Sequence, residues 1–149
     1  MKQKIKIIQT IIFIFFMSFP FYANAMTVEE IIKGRKAMFS ENYQNAKKIS
    51  ILLKSKRIEE AKPLMEKISG NYKELLNYFP ENTKEGFKTE ALPSIWENKN
   101  EFNALMQKAS DDMIKLSKAI NTVEDFQKIQ KTLMWNNCSS CHNRFRAPH

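Results

Sequence analysis

Cys138-Ser139-Ser140-Cys141-His142 gathers both cysteines of the chain and one of its two histidines into five consecutive residues. On a helix, positions i, i+3 and i+4 share a face, so this spacing presents two thiols and an imidazole to one side. Each thiol can add to a vinyl group and form a thioether, and an imidazole beside the second anchor is placed to bind iron axially. C-x-x-C-H is therefore the attachment pattern of c-type haem. Other chemistries fit less of it. A redox-active disulfide wants its dithiol at a helix N-terminus after a strand, and no strand pattern precedes Cys138. A thiol–disulfide oxidoreductase using Cys138 and Cys141 is the alternative from another class. A structural zinc needs four ligands, and the one further His or Cys is His149. A plain disulfide leaves His142 unexplained. The motif predicts one covalently attached haem c, anchored by Cys138 and Cys141, with His142 as the axial ligand of the iron.

Such a motif needs elements to hold it, and four segments show apolar residues at three- and four-residue intervals. The first opens on the capping box Thr27-Val28-Glu29-Glu30 and carries Ile31, Ile32, Met38, Phe39, Tyr43, Ala46, Ile49 and Leu53 to about Lys54. The second runs from near Arg57 to Phe79, where Pro80 stops it; Pro63 inside it predicts a start or bend at that point. Glu81 to Leu92 reads as the longest loop. The third begins at Pro93 and reaches Ile120. The fourth follows Asn121-Thr122, with Thr122 and Asp125 as capping residues, and continues unbroken into the cysteine motif. Four amphipathic helices with mostly short connections predict an all-α fold, an antiparallel up-down-up-down four-helix bundle with haem bound between helices.

The first 25 residues read as a cleaved signal peptide. Lys2, Lys4 and Lys6 precede the apolar run Ile7–Tyr22, and Ala23-Asn24-Ala25 supplies the small-x-small cleavage pattern. Residues 26–149 then form one domain in the periplasm, with no stable membrane span after cleavage. Removing three lysines and no acid lowers the formal net charge from +8 to +5. The positive residues alternate with acids along helices, so nucleic acid is not an expected partner. No Ser-His-Asp set, paired-carboxylate site or phosphate-cradling glycine loop is present, and enzymatic turnover is not expected.

The mature sequence resembles the cytochrome c′ family, the class II c-type cytochromes. The resemblance rests on Ile32-Lys33-Gly34-Arg35, on Phe79-Pro80 followed by Thr89-Glu90-Ala91-Leu92-Pro93-Ser94-Ile95-Trp96, and on Cys138–Arg146 with its aromatic Phe145 and basic Arg146. It implies haem near one end of the bundle and a relatively exposed His142. It also implies Arg35 near a haem propionate, and Arg146 beside the proximal face. Redox partner proteins and the diatomic gases NO and CO are the partners it implies. Its members are often homodimers through the first two helices.

Within the family, the residue four after the first-helix arginine faces the far side of the iron, and here that residue is Phe39. Phe cannot ligate, so the resemblance implies five-coordinate iron in a closed apolar pocket that admits NO or CO, with electron transfer as the broader role. Met38, about 100° around the helix, is the rival: as sixth ligand it would make a six-coordinate, low-spin electron carrier. Both residues lie on the broad apolar stripe, and periodicity does not choose between them.

Overall fold

The computed structural model describes residues 25–121 and 125–148. Residues 1–24 of the expected signal segment, the capping residue Thr122 and His149 lie outside the described residues. Helix α1 spans Val28–Lys54, α2 Ile58–Leu75, the short α3 Ser94–Glu97, α4 Lys99–Ala119, α5 Phe126–Gln130 and α6 Asn136–Phe145. Between α5 and α6, Lys131–Trp135 winds as a π-helical turn. The fold is all-α, a four-helix bundle in which α2 packs against α1 and α4, and the π turn and α6 pack against α4. Among the described residues the one extended pairing is an isolated antiparallel bridge between Ala91 and Arg146.

Local signals explain the starts of α1 and α5. Thr27 Oγ1 accepts from Glu30 N at 3.2 Å, and Glu30 Oε2 accepts from Thr27 N at 2.7 Å, so the capping box satisfies two otherwise orphaned amides. Asp125 caps α5 by accepting from Lys128 N at 2.9 Å. Helix α2 starts at Ile58, next to the expected Arg57, so it does not begin at Pro63, and it ends at Leu75, short of Phe79. Its acidic first turn, Glu59 and Glu60, complements the helix dipole. The third segment also divides. Asn98, at φ −120° and ψ 44°, separates α3 from α4.

Two cores fill the bundle. At one end Ala46, Ile49, Leu52 and Leu53 of α1 meet Ala61, Met65 and Ile68 of α2, and Met113, Leu116 and Ile120 near the end of α4. At the other, Leu75, Phe79, Ile95, Trp96, Phe102, Met106 and Phe145 form an aromatic-rich cluster. Burying each such large side chain contributes about 1.5–3 kcal/mol. No helix among the described residues is long and apolar enough to cross a membrane.

Candidate functional site

A largely apolar cavity of about 790 Å³ opens beside the aromatic core. That volume lies in the range of cofactor and ligand pockets. Its wall includes Arg35 and Phe39 from α1, Tyr72 from α2, Phe102 from α4, and Cys138, Cys141 and His142 from α6. Helix α6 brings the two thiols and the imidazole to one wall, as the i, i+3, i+4 spacing requires. Both cysteines are half-buried and free of disulfide, whereas His142 is exposed. Arg146 follows α6 in extended conformation and also lines the cavity.

The end of α6 is tied to the segment that enters α3. Leu92 N donates to Phe145 O at 3.0 Å, Ala147 N to Glu90 O at 2.8 Å, and Ser94 Oγ to Arg144 O at 2.8 Å. The bonds to Phe145 O and Arg144 O satisfy carbonyls that a helix C-terminus leaves without partners. An arc of edge-on aromatic rings then crosses the site. Phe39 meets Phe79 at 6.4 Å between centroids, Phe79 meets Phe102 at 4.7 Å, and Phe102 meets Phe145 at 5.4 Å. Trp96 sits behind it with its indole N–H donating to the Phe79 and Pro80 carbonyls, both at 3.1 Å.

Met38 and Phe39 part company here. Both pack against the aromatic core, but Phe39 is on the cavity wall and Met38 is not. Met106, Met113 and Met134 are cavity-lining as well as core residues.

Arg35 is 2% exposed at the cavity rim. Its guanidinium donates to Tyr78 O at 3.2 Å, Thr83 Oγ1 at 3.0 Å, Thr83 O at 2.9 Å and Thr89 Oγ1 at 2.6 Å. It also lies 4.7 Å from the Phe79 ring centroid. All four acceptors are neutral oxygens, and burial lowers the guanidinium to about 10. All four terminal N–H groups are thus engaged, so an anionic group at this rim would meet the desolvated positive charge through its field rather than through a hydrogen bond from them. Lys36 Nζ adds a bond to Lys88 O at 2.9 Å. Together the two α1 side chains pin a loop whose Gly86, Phe87 and Lys88 all have positive φ (91°, 48° and 54°). Left-handed backbone costs a non-glycine residue about 1–2 kcal/mol, so such a loop needs outside support.

The thiols are not thiolate-like. Burial pushes Cys141 up to about 11, with Cys138 adding to the rise, and burial also raises Cys138. Tyr72 faces Cys138, and burial first, then the neighbouring cysteine, pushes its phenol well above the ordinary tyrosine range. Tyr72 packs against the core of α1, α2 and α4, but its contact with Cys138 is long-range and no helical spacing announces it.

The π turn shows in the spacing only as a mismatch of phase between two stripes. The expected unbroken helix would turn the stripe Met134, Cys138, Cys141, Phe145 about 100° away from Phe126, Ile129 and Leu133. A π turn closes i→i+5 hydrogen bonds, as Asn136 N does to Lys131 O, and thereby absorbs one extra residue. Both stripes then face inward.

Two free thiols three residues apart, an adjacent imidazole and an apolar cavity rimmed by a buried cation form a donor set that fits a covalently held c-type haem. Residues 30–146 match the family described as Cytochrome C′. The chain belongs to the cytochrome c′ family. A cytochrome c′ from Rhodopseudomonas palustris (strain ATCC BAA-98 / CGA009) is 30% identical over 128 residues, 83% of this chain and 86% of that protein. A solved cytochrome c′ from the same species is 30% identical with a TM-score of 0.67, covering 80% of this chain and 97% of that one. The nitric oxide complex of a cytochrome c prime mutant from Alcaligenes xylosoxidans, 20% identical, is alike in fold, with a TM-score of 0.68 over 83% of this chain and 99% of that one. As a cytochrome c′ family member the protein binds covalently attached c-type haem, for which two cysteines are present.

Proposed function

We propose that the protein is an exported haem protein whose iron is five-coordinate and open to NO or CO, and that electron transfer uses the same haem. Cys138 and Cys141 hold the group as thioethers, and His142 supplies the proximal ligand. Phe39 walls the distal side, Arg35 faces a propionate, and Arg146 stands by the proximal face. The observation that carries this reading is that Phe39 lines the cavity while Met38 does not. A phenyl ring offers iron no lone pair, so the distal position stays free for a small ligand. The raised Cys138 and Cys141 thiols speak against the dithiol alternative, since reactive dithiols depend on depressed thiol values. The signal-like segment supports cleavage after Ala25 and a periplasmic location, and the mature protein should have an intact mass that begins at Met26.

The visible spectrum of purified holoprotein tests the coordination. A broad high-spin spectrum that changes on adding NO or CO supports the reading, and Met38→Ala should leave it unaltered. A low-spin spectrum with a methionine–iron charge-transfer band, lost in Met38→Ala, would overturn it in favour of the six-coordinate carrier.

A further inference from the structure

Asp112 of α4 carries a carboxylate in the bundle interior, 2% exposed, and no haem role explains it. Its Oδ2 accepts from Asn137 Nδ2 at 3.0 Å and from Lys108 Nζ, while Oδ1 accepts from Lys115 Nζ at 3.1 Å. Asn137 is the residue before Cys138, and its amide is engaged at both ends. Lys108 Nζ donates to its Oδ1 at 3.0 Å, which fixes the amide orientation. Its Nδ2 donates a second time, to Leu133 O at 2.9 Å, inside the π turn. The Asp112–Asn137 pair thus fastens α4 to the one turn whose winding decides which way α6 faces.

We infer that Asp112 is a positioning residue: through Asn137 it holds the Lys131–Trp135 π turn and so fixes the rotational phase at which Cys138, Cys141 and His142 meet the cavity. A burial argument supports this. An isolated carboxylate is costly to bury, and a carboxylate meant only for two exposed lysines would lie at the surface with them. Lys108 and Lys115 have side chains 56% and 66% exposed, against 3% for Asp112. The inward component of the network is Asn137. Partners one bond removed from a metal ligand set tune the ligand's orientation, and here the tuning reaches His142 through helix phase.

This inference rests on the proposed haem site, and the experiment separates the two. Holoprotein is matured in a host that attaches c-type haem. Mass spectrometry of the parent first shows whether a peptide containing Cys138 and Cys141 carries the group; its absence sinks the site assignment itself. Resonance Raman of the iron–imidazole stretch and Soret circular dichroism then compare Asp112→Ala, Asp112→Asn, Asn137→Ala and the control Ser110→Ala. Ser110 is buried on the same helix but bonds Ser69, with an Oγ–Oγ distance of 2.8 Å. Asn at 112 keeps an oxygen for Asn137 and loses the charge shared with the lysines. The expected result is a shifted iron–imidazole band in Asp112→Ala and Asn137→Ala, and the parent band in Asp112→Asn and Ser110→Ala. The double variant Asp112→Ala/Asn137→Ala should shift no further than either single one. Parent-like bands in Asn137→Ala, or an equal shift in Ser110→Ala, would overturn the inference even if Asp112→Ala yields no holoprotein.

Discussion

At the scale of single residues, the site depends on side chains that satisfy backbone groups as much as on those that face the cofactor. Arg35 is the clearest case. Two of its four bonds go to main-chain carbonyls, of Tyr78 and Thr83, and its other two hold the Thr83 and Thr89 hydroxyls. Replacing it by Lys keeps the charge but not the planar fork that reaches several acceptors at once. At least one buried carbonyl then loses its donor, at a cost of about 1–3 kcal/mol. Arg35→Lys should therefore lower the urea midpoint of the holoprotein with little change in slope, and should speed proteolytic nicking at Gly86–Lys88. Thr83→Val, which removes one acceptor and keeps the backbone, should cost less. An unchanged midpoint in Arg35→Lys would mean that the loop holds itself.

At the scale of elements, legibility in the sequence tracked the range of the interaction. The Thr27–Glu30 capping box was readable because it depends on neighbours within one helical turn. The C-x-x-C-H motif was readable for the same reason, being a local pattern on one helix. The bond from Asn137 to Asp112 spans α6 to α4, the contact of Tyr72 with Cys138 spans α2 to α6, and no spacing rule announces either. The π turn was missed because periodicity assumes a constant number of residues per turn, and Phe126, Ile129 and Leu133 fit an α-helix by themselves. The extra residue carries its own test. If the turn absorbs one extra residue, deleting exposed Thr132 should leave an ordinary α-helix with both stripes still inward. The deletion should then mature with near-parental haem content and visible spectrum, at most losing the Thr132 Oγ1 bond to Lys128 O (2.9 Å). Inserting one alanine in the same turn should rotate the motif by about 100° and abolish haem attachment. Haem loss in the deletion, or normal loading in the insertion, would show that the turn does not set the phase.

At the scale of the molecule, the two cores should respond differently to loss of the cofactor. The cluster of Ile49, Leu53, Met65 and Leu116 joins α1, α2 and α4 through direct contacts, with Ile68 and Met113 at its edge on the cavity wall. The aromatic cluster of Phe79, Phe102 and Phe145 borders a cavity of about 790 Å³ that the group would fill. Cavity walls with nothing packed against them forfeit dispersion contacts outright, and residual voids destabilise in proportion to their volume. Regions with few compensating contacts open locally at free energies below that of global unfolding. Haem-free protein, prepared as Cys138→Ala/Cys141→Ala, should therefore keep slow amide exchange along the second half of α1 and the first half of α2. Exchange should accelerate most in α6, in the 84–92 segment and around Phe102, and native-state exchange by mass spectrometry reads this directly. Loading the parent with haem should restore protection at those sites first. Uniform acceleration along all four helices would instead show that the bundle is one cooperative unit and that the cofactor supports the whole of it.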